Sequence, residues 1–285
     1  LLESQLRTHF YISHTYTFHL KHQKMKNAFY LFLFIFALGM VSCSKKTATA
    51  VQAPPEKSDT PVAAKTNESD QKAIDVLKNY INAIGGSDKL TSVKSVMMKM
   101  SASTGMGDLL ITQFIKDGKM AMKTEMAGST VMEQKFDGTT LQVSGMGGNQ
   151  KITDEQTLKG VRKQARMFDE LDQLTSSKSL KKYLGTEELD GKTVHKITVT
   201  DEDKNESTQY FDAASHLLLR TIATVDAMGQ KSTQTMDFGD YKEVNGVKFP
   251  HQVKMTGGAV PFPLDMKITA LMINSDLPDQ LFLIN

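Results

Sequence analysis

Three histidines, His195, His216 and His251, stand in the long C-terminal part of the chain, each alone in sequence. No His-Glu-x-x-His, no Gly-x-Ser-x-Gly and no Walker-type loop occurs. Metal-assisted hydrolysis, acyl transfer from an elbow serine and nucleotide binding therefore lack their usual residue sets. Asp201-Glu-Asp203-Lys-Asn205 opens like a calcium loop, but its sixth position is Glu206, where the sharp turn needs glycine, and its twelfth is Asp212. It reads as a solvated turn between strands. Gly145-Met-Gly147-Gly148 is glycine-rich without a parallel strand–turn–helix around it, which suits a hairpin or lid loop better than a phosphate cradle. Met98, Met100, Met120 and Met122 carry soft thioethers of the kind that bind copper(I). No His or Cys lies near them in sequence, and methionine equally suits a core or a pocket for irregular apolar ligands. The expectation is a protein without catalytic residues, metal or cofactor. The remaining reactive side chain is Cys43, the single cysteine of the chain.

Cys43 closes the apolar run Tyr30–Cys43. Lys21, Lys24 and Lys26 precede that run as a positive n-region, and Phe29–Leu38 forms the h-region of an export signal. The run is about 13 residues, whereas a membrane span needs about 20. Met40-Val41-Ser42-Cys43 resembles a bacterial lipobox, with Met40 in place of the usual Leu. Cleavage before Cys43 and its acylation would leave a lipid-anchored N-terminus. Each buried methylene contributes about 0.8 kcal/mol, and two or more chains make a stable anchor. Residues 25–43 are thus read as the signal peptide. Residues 1–24 lack a leading Met and read as upstream sequence or a mis-called start. Residues 44–70 are small, polar and proline-containing, and cannot bury enough apolar surface to offset chain entropy. They read as a flexible tether.

The chain carries a formal net charge of +2, but Arg7, Lys21, Lys24 and Lys26 against Glu3 put its basicity upstream of the cleavage point. The remainder has no basic excess and no case for nucleic acid. With one cysteine no intrachain disulfide forms, so residues 71–285 must be held by their own core.

The elements follow from periodicity. Ala73, Ile74, Leu77, Tyr80, Ile81 and Ile84 recur at three and four, a helix that Ser69 or Asp70 can cap and Gly85-Gly86 stops. The period then becomes two. Val96–Ala102, Leu109–Lys116, Lys119–Met126, Thr130–Phe136 and Thr139–Val143 alternate and are joined by turn signals such as Asp117-Gly118 and Asp137-Gly138. Met120, Met122 and Met126 share one face of their strand, as do Met98 and Met100 of theirs. Leu158, Val161, Ala165, Phe168, Leu171 and Leu174 mark one or two central helices over 154–174, and Lys178–Leu184 is read as a further short helix. Strands resume from Tyr183–Leu189 to Leu264–Ile273. The predicted class is α+β, an antiparallel sheet of about ten to twelve strands with few helices.

With that layout in view, residues 71–285 resemble the outer-membrane lipoprotein-sorting, LolA/LolB-like, superfamily. Three phrases carry the resemblance: Tyr80-Ile-Asn-Ala-Ile-Gly-Gly-Ser-Asp-Lys-Leu90; Tyr210-Phe-Asp212 running to Leu217-Leu-Leu-Arg220; and Asp237-Phe-Gly-Asp-Tyr241 through Asn245-Gly-Val-Lys-Phe-Pro250. The resemblance implies a strongly curved, incomplete β-barrel with helices on its concave side and an apolar cavity that binds acyl chains. Met98, Met100, Met120, Met122 and Met126 are the candidate cavity residues. The implied partners are the membrane, through the lipid on Cys43, and a lipid or lipoprotein acyl chain. The implied place is the envelope. Ser44 is not the Asp of the usual inner-membrane retention signal, so the outer membrane, facing the periplasm, is expected by analogy. The other reading is a non-catalytic accessory lipoprotein with a filled cavity, docking on an envelope protein through a sheet edge or the Pro261–Pro263 loop.

Overall fold

A computed structural model describes residues 70–284, apart from 105–106, 146, 228–229 and 259–261. Cys43, the signal segment, the tether up to residue 69 and Pro261 fall outside the described residues.

Helix α1 (Gln71–Ala83) forms where the stripe predicts it and buries Ala73, Val76, Leu77, Tyr80 and Ile81. Asp70 occupies the cap position, but its side chain does not cap the helix. Its carboxylate accepts from Tyr183 N at 2.9 Å and its own N–H donates to Lys181 O at 2.8 Å. The residue that begins α1 therefore stitches it to a distant strand. Asp70→Ala should cost about 1 kcal/mol, visible as a fall of roughly 2–4 °C in the thermal midpoint. The helix stops at Gly85, whose φ is +140° and whose added Cβ would lie 2.7 Å from Gly246 O. Lys248 N donates to Ile84 O at 2.8 Å, so the end of α1 rests on a hairpin. A short α2 (Ser87–Ser92) leads into the sheet.

β1 (Ser95–Thr104), β2 (Gly107–Lys116), β3 (Lys119–Met126), β4 (Ser129–Phe136), β5 (Leu141–Gly145) and β6 (Gly148–Ile152) form one antiparallel meander. β7 (Leu180–Leu189), β8 (Lys192–Thr200), β9 (Glu206–Asp212), β10 (Leu218–Ala227), β11 (Gln230–Val244), β12 (Val247–Gly257) and β13 (Leu264–Ile273) form a second. The last strand returns to pair with the first, Val96 facing Ile273 and Ala102 facing Met266. The result is one 13-stranded sheet in the order β6-β5-β4-β3-β2-β1-β13-β12-β11-β10-β9-β8-β7. The glycine-rich stretch after Val143 is the β5–β6 hairpin, one strand more than the sequence suggests. At Asp117-Gly118, Asp190-Gly191 and Asn245-Gly246 both turn residues have positive φ, the tight hairpin geometry for which Asx-Gly is suited.

The sheet is not closed. Its edges are β6 and β7, which are neighbours in sequence. The connection between them, residues 153–179, contains α3 (Glu155–Gln164) and α4 (Asp169–Thr175) and runs from one edge to the other. This strap is two helices, broken at Phe168, whose φ of −141° and ψ of 83° are not helical. Lys178–Leu184, expected as a helix, is mostly the start of β7. Ser179 and Lys181 are buried there, so polar residues occupy the inward positions and hide the two-residue period.

Three apolar clusters lie on the helix-bearing, concave face. The first gathers α1 with β8, β9, β12 and Ile273 of β13. The second gathers β1–β5 with Leu158, Val161 and Ala165 of the strap. The third lies toward the opposite end of the strands, around Leu109, Met255 and Leu264. On the convex face, Leu277 and Phe282 beside a C-terminal turn cover Ala121, with Met97 and Phe114 packed alongside.

Candidate ligand-binding face

The five candidate methionines share the concave face but not one cluster. Met100, Met120 and Met122 are buried, at 5%, 0% and 1% exposure, and pack in the cluster that α3 covers. Met98 is half-buried and bridges the first and second clusters together with Met167 of the strap. Met126 lies apart, half-buried in the third cluster with Met236, Val253 and Phe262. Phe262 thus lies on the apolar face.

Register explains what joins these residues. Met98 faces Gln113, Gln113 faces Met122, Met122 faces Gln134, and Gln134 faces Val143. Buried glutamines therefore alternate with methionine across the face. Gln113 Nε2 donates to Met120 Sδ at 3.4 Å, Gln134 Nε2 to Met132 Sδ at 3.7 Å and Gln234 Nε2 to Met255 Sδ at 3.1 Å. Thioethers are weak acceptors, so these amides are held loosely. Sequence reasoning missed the glutamines, although each sits at an inward position of an alternating strand.

Polar groups concentrate where the strap meets the β8–β9 turn. Lys159 Nζ lies 2.7 Å from Asp203 Oδ1, and Lys163 Nζ is 3.4 Å from Asp169 Oδ2 and 3.9 Å from Asp201 Oδ2. Asp201 also accepts from Asp203 N and Asn205 N, which makes the calcium-like stretch an Asx turn that receives lysines. A cleft of about 300 Å³ lies here, lined by Lys159, Arg162, Arg166, Asp172 and Glu202 among others. A second, of about 260 Å³, lies beside Asp190, Arg220, Asp237 and Lys254. None of the five methionines lines either cleft.

The histidines have local partners. His195 Nδ1 lies 3.1 Å from Tyr183 Oη; burial holds its pKa below the ordinary range, and the charges of Lys72 and His216 act the same way. His251 Nδ1 donates to Phe249 O at 3.0 Å. Among the described residues no group of three or more His, Cys, Asp or Glu is placed to hold a metal ion.

The second half of the strap is more lightly fixed than α3, which buries Leu158 and Val161. α4 has no fully buried residue. Met167, Phe168, Leu171 and Leu174 rest half-buried on the first cluster, with Phe168 and Phe249 ring centroids 5.9 Å apart. Gln209 Nε2 donates to Gln173 Oε1 at 3.1 Å. Beneath the end of α4 lies Lys181, whose ammonium donates to Ser176 O at 2.8 Å and Ser179 O at 3.0 Å. Burial lowers its pKa.

This arrangement matches known structures. A LolA superfamily protein from Nitrosomonas europaea superposes with a TM-score of 0.50 over 74% of this chain and 97% of its own, at 13% identity. The fold is LolA-like. A DUF1329 family protein from Desulfovibrio piger superposes with the same TM-score, 0.50, over 75% of this chain and 97% of its own, at 12% identity. At such identities the LolA-like likeness is one of fold. No family model matches the chain, and no curated protein matches it.

Proposed function

We propose that this chain is a non-catalytic envelope lipoprotein, anchored through Cys43, whose LolA-like half-barrel binds an acyl chain or similar apolar ligand in lipid or lipoprotein sorting. One observation carries the reading. The methionine-lined face is covered by a strap of two unequal helices: α3 buries Leu158 and Val161 over Met100, Met120 and Met122, whereas α4, on the neighbouring cluster that Met98 borders, has no buried residue, and the strap's ion pairs include exposed ones. Exposed pairs of that kind contribute about 0–1 kcal/mol each. Lifting α4 opens the side of the face that Met98 borders, and displacing α3 as well exposes Met100, Met120 and Met122, side chains that adapt to an irregular partner. The face has the chemistry of a hydrocarbon site, and the strap has the strength of a cover.

The test is native mass spectrometry of the protein released gently from envelope. Co-purifying lipid is expected, together with uptake of a fluorescent fatty acid that Met122→Lys abolishes. Repeated absence of both defeats the reading. Metabolic labelling with a tagged fatty acid checks the anchor: label in the wild type and none in Cys43→Ser.

A second reading, the accessory lipoprotein that docks on another envelope protein, is favoured by β6. It is a sheet edge whose first four residues are exposed, and unpaired strand edges recruit partners. Pull-down of a protein with no bound lipid would select it.

A further inference from the structure

Among the described residues, six buried side-chain oxygens have no hydrogen-bond partner. Three of them, Gln209 Oε1, Ser232 Oγ and Gln234 Oε1, stand together on the concave face. Register gathers them around Ala223 of β10. Gln234 of β11 faces Ala223 directly, Ser232 of β11 faces Val225, and Gln209 of β9 faces Thr221. Their side is the concave one, because Gln209 also faces Ile197 and Thr221 faces Met236, both of which pack inward. Gln209 and Gln234 are 4% and 6% exposed, whereas Ala223 is half-buried. On the other side of Gln234, β12 offers Gly257. The Gln234 amide thus has an alanine and a glycine as its cross-strand neighbours.

A buried carboxamide without partners is costly, because its hydration is lost and not replaced. Gln234 Nε2 is held by Met255 Sδ, at 3.1 Å, and a thioether is a weak acceptor. Exchanging the oxygen and nitrogen of the amide leaves its other end unmet, so the shortfall does not depend on which way the amide is turned. Gln209 Nε2 donates to Gln173 Oε1 of α4 and would lose that partner when α4 lifts. Ser232 Oγ can donate as well as accept. The inward residues around the three oxygens, Ser207, Thr221, Ala223, Val225, Met236 and Met255, carry no charge. The cation of this row, Lys181 of β7, lies beyond Val199 and donates to Ser176 O and Ser179 O. Among the described residues, then, nothing at this spot offsets a carboxylate or a phosphate. Hydroxyl groups, which donate and accept at once, meet all three oxygens.

We propose that Gln209, Ser232 and Gln234 form a subsite for a neutral, hydroxyl-bearing headgroup, and that the ligand of the concave face is an acyl ester of glycerol or of a sugar rather than a free fatty acid. The inference rests on the acyl-binding reading above and adds the polar end of the ligand to it. The third cluster runs on from Gln234 through Met236 and Met255, with Met126, Val253 and Phe262 half-buried beside them. The acyl chain continues over that cluster, and a hydroxyl replaces the thioether as the partner of Gln234.

Native mass spectrometry of the full chain with an equimolar mixture of oleate, methyl oleate, 1-monooleoylglycerol and glucose monooleate tests this. Methyl oleate has the same chain and ester as the last two but no hydroxyl. At least one of the hydroxylated esters should be held about tenfold more tightly than methyl oleate and oleate, the worth of one to two hydrogen bonds. Whichever of the two is tighter names the headgroup, glycerol or sugar. In Gln234→Leu that margin should largely vanish, while methyl oleate binds as in the wild type. Should Gln234→Leu fail to fold, Gln209→Leu carries the same expectation. Hydroxylated esters held no better than methyl oleate, or a margin that survives intact in the variant, overturn the subsite and leave acyl binding standing. Binding of none of the four lipids overturns both.

Discussion

Phe136→Ala lowers the free energy of unfolding by about 3–5 kcal/mol, in the range for truncating a buried aromatic. Phe136 is 0% exposed and packs in the cluster that joins Met120, Met122 and Met132 to Leu158 and Val161 of the strap. The size of the loss is informative about function. Packed neighbours cannot follow the missing ring fully, so a filled cluster pays for both transfer and cavity. A face that kept a standing void beside the ring would lose much less. Met122→Leu, nearly volume-conserving, should cost under about 1.5 kcal/mol. Urea unfolding of both variants decides: a Phe136→Ala loss below about 1 kcal/mol means the face is hollow at rest. A loss in the expected range means that the face is filled at rest.

Gly85→Ala is the second large effect, on the order of 3 kcal/mol. At φ of +140° an L side chain is strained, and its Cβ would meet Gly246 O at 2.7 Å, a backbone atom that cannot rotate away. Relief requires α1 and the β11–β12 hairpin to part, which breaks the bond from Lys248 N to Ile84 O. Gly118→Ala is the control. Its φ is +71° and nothing lies within 4 Å of the added Cβ, so only the conformational cost of about 1 kcal/mol remains. Thermal midpoints of the two variants should separate by several degrees. Equal shifts would mean that the helix end is not pinned.

Most of the fold is legible locally because each element is amphipathic in its own period. α1 shows its stripe, β3 its Met120–Met122 alternation, and Asp117-Gly118 its turn, with no reference to the rest of the chain. Local pattern does not show long-range pairing. Nothing in Leu264–Ile273 announces that it lies against β1, yet that pairing makes β6 and β7 the edges and the segment between them a strap. The methionine face was readable from alternation, while the separation of Met126 from Met120 and Met122 was not, because one strand serves two clusters along its length. The break at Phe168 was hidden by apolar spacing that continues through it.

The strap joining β6 to β7 gives the open sheet a hoop. A curved sheet can widen only by moving its edges apart, and here the edges are tied through residues 153–179. The girth of the half-barrel is then limited by how long the tie is. Seven residues of α4 span roughly 10 Å as helix and roughly 23 Å when extended. Unwinding that one helix would let out about 12 Å of slack. The same event would thereby let the half-barrel widen without breaking a strand pair.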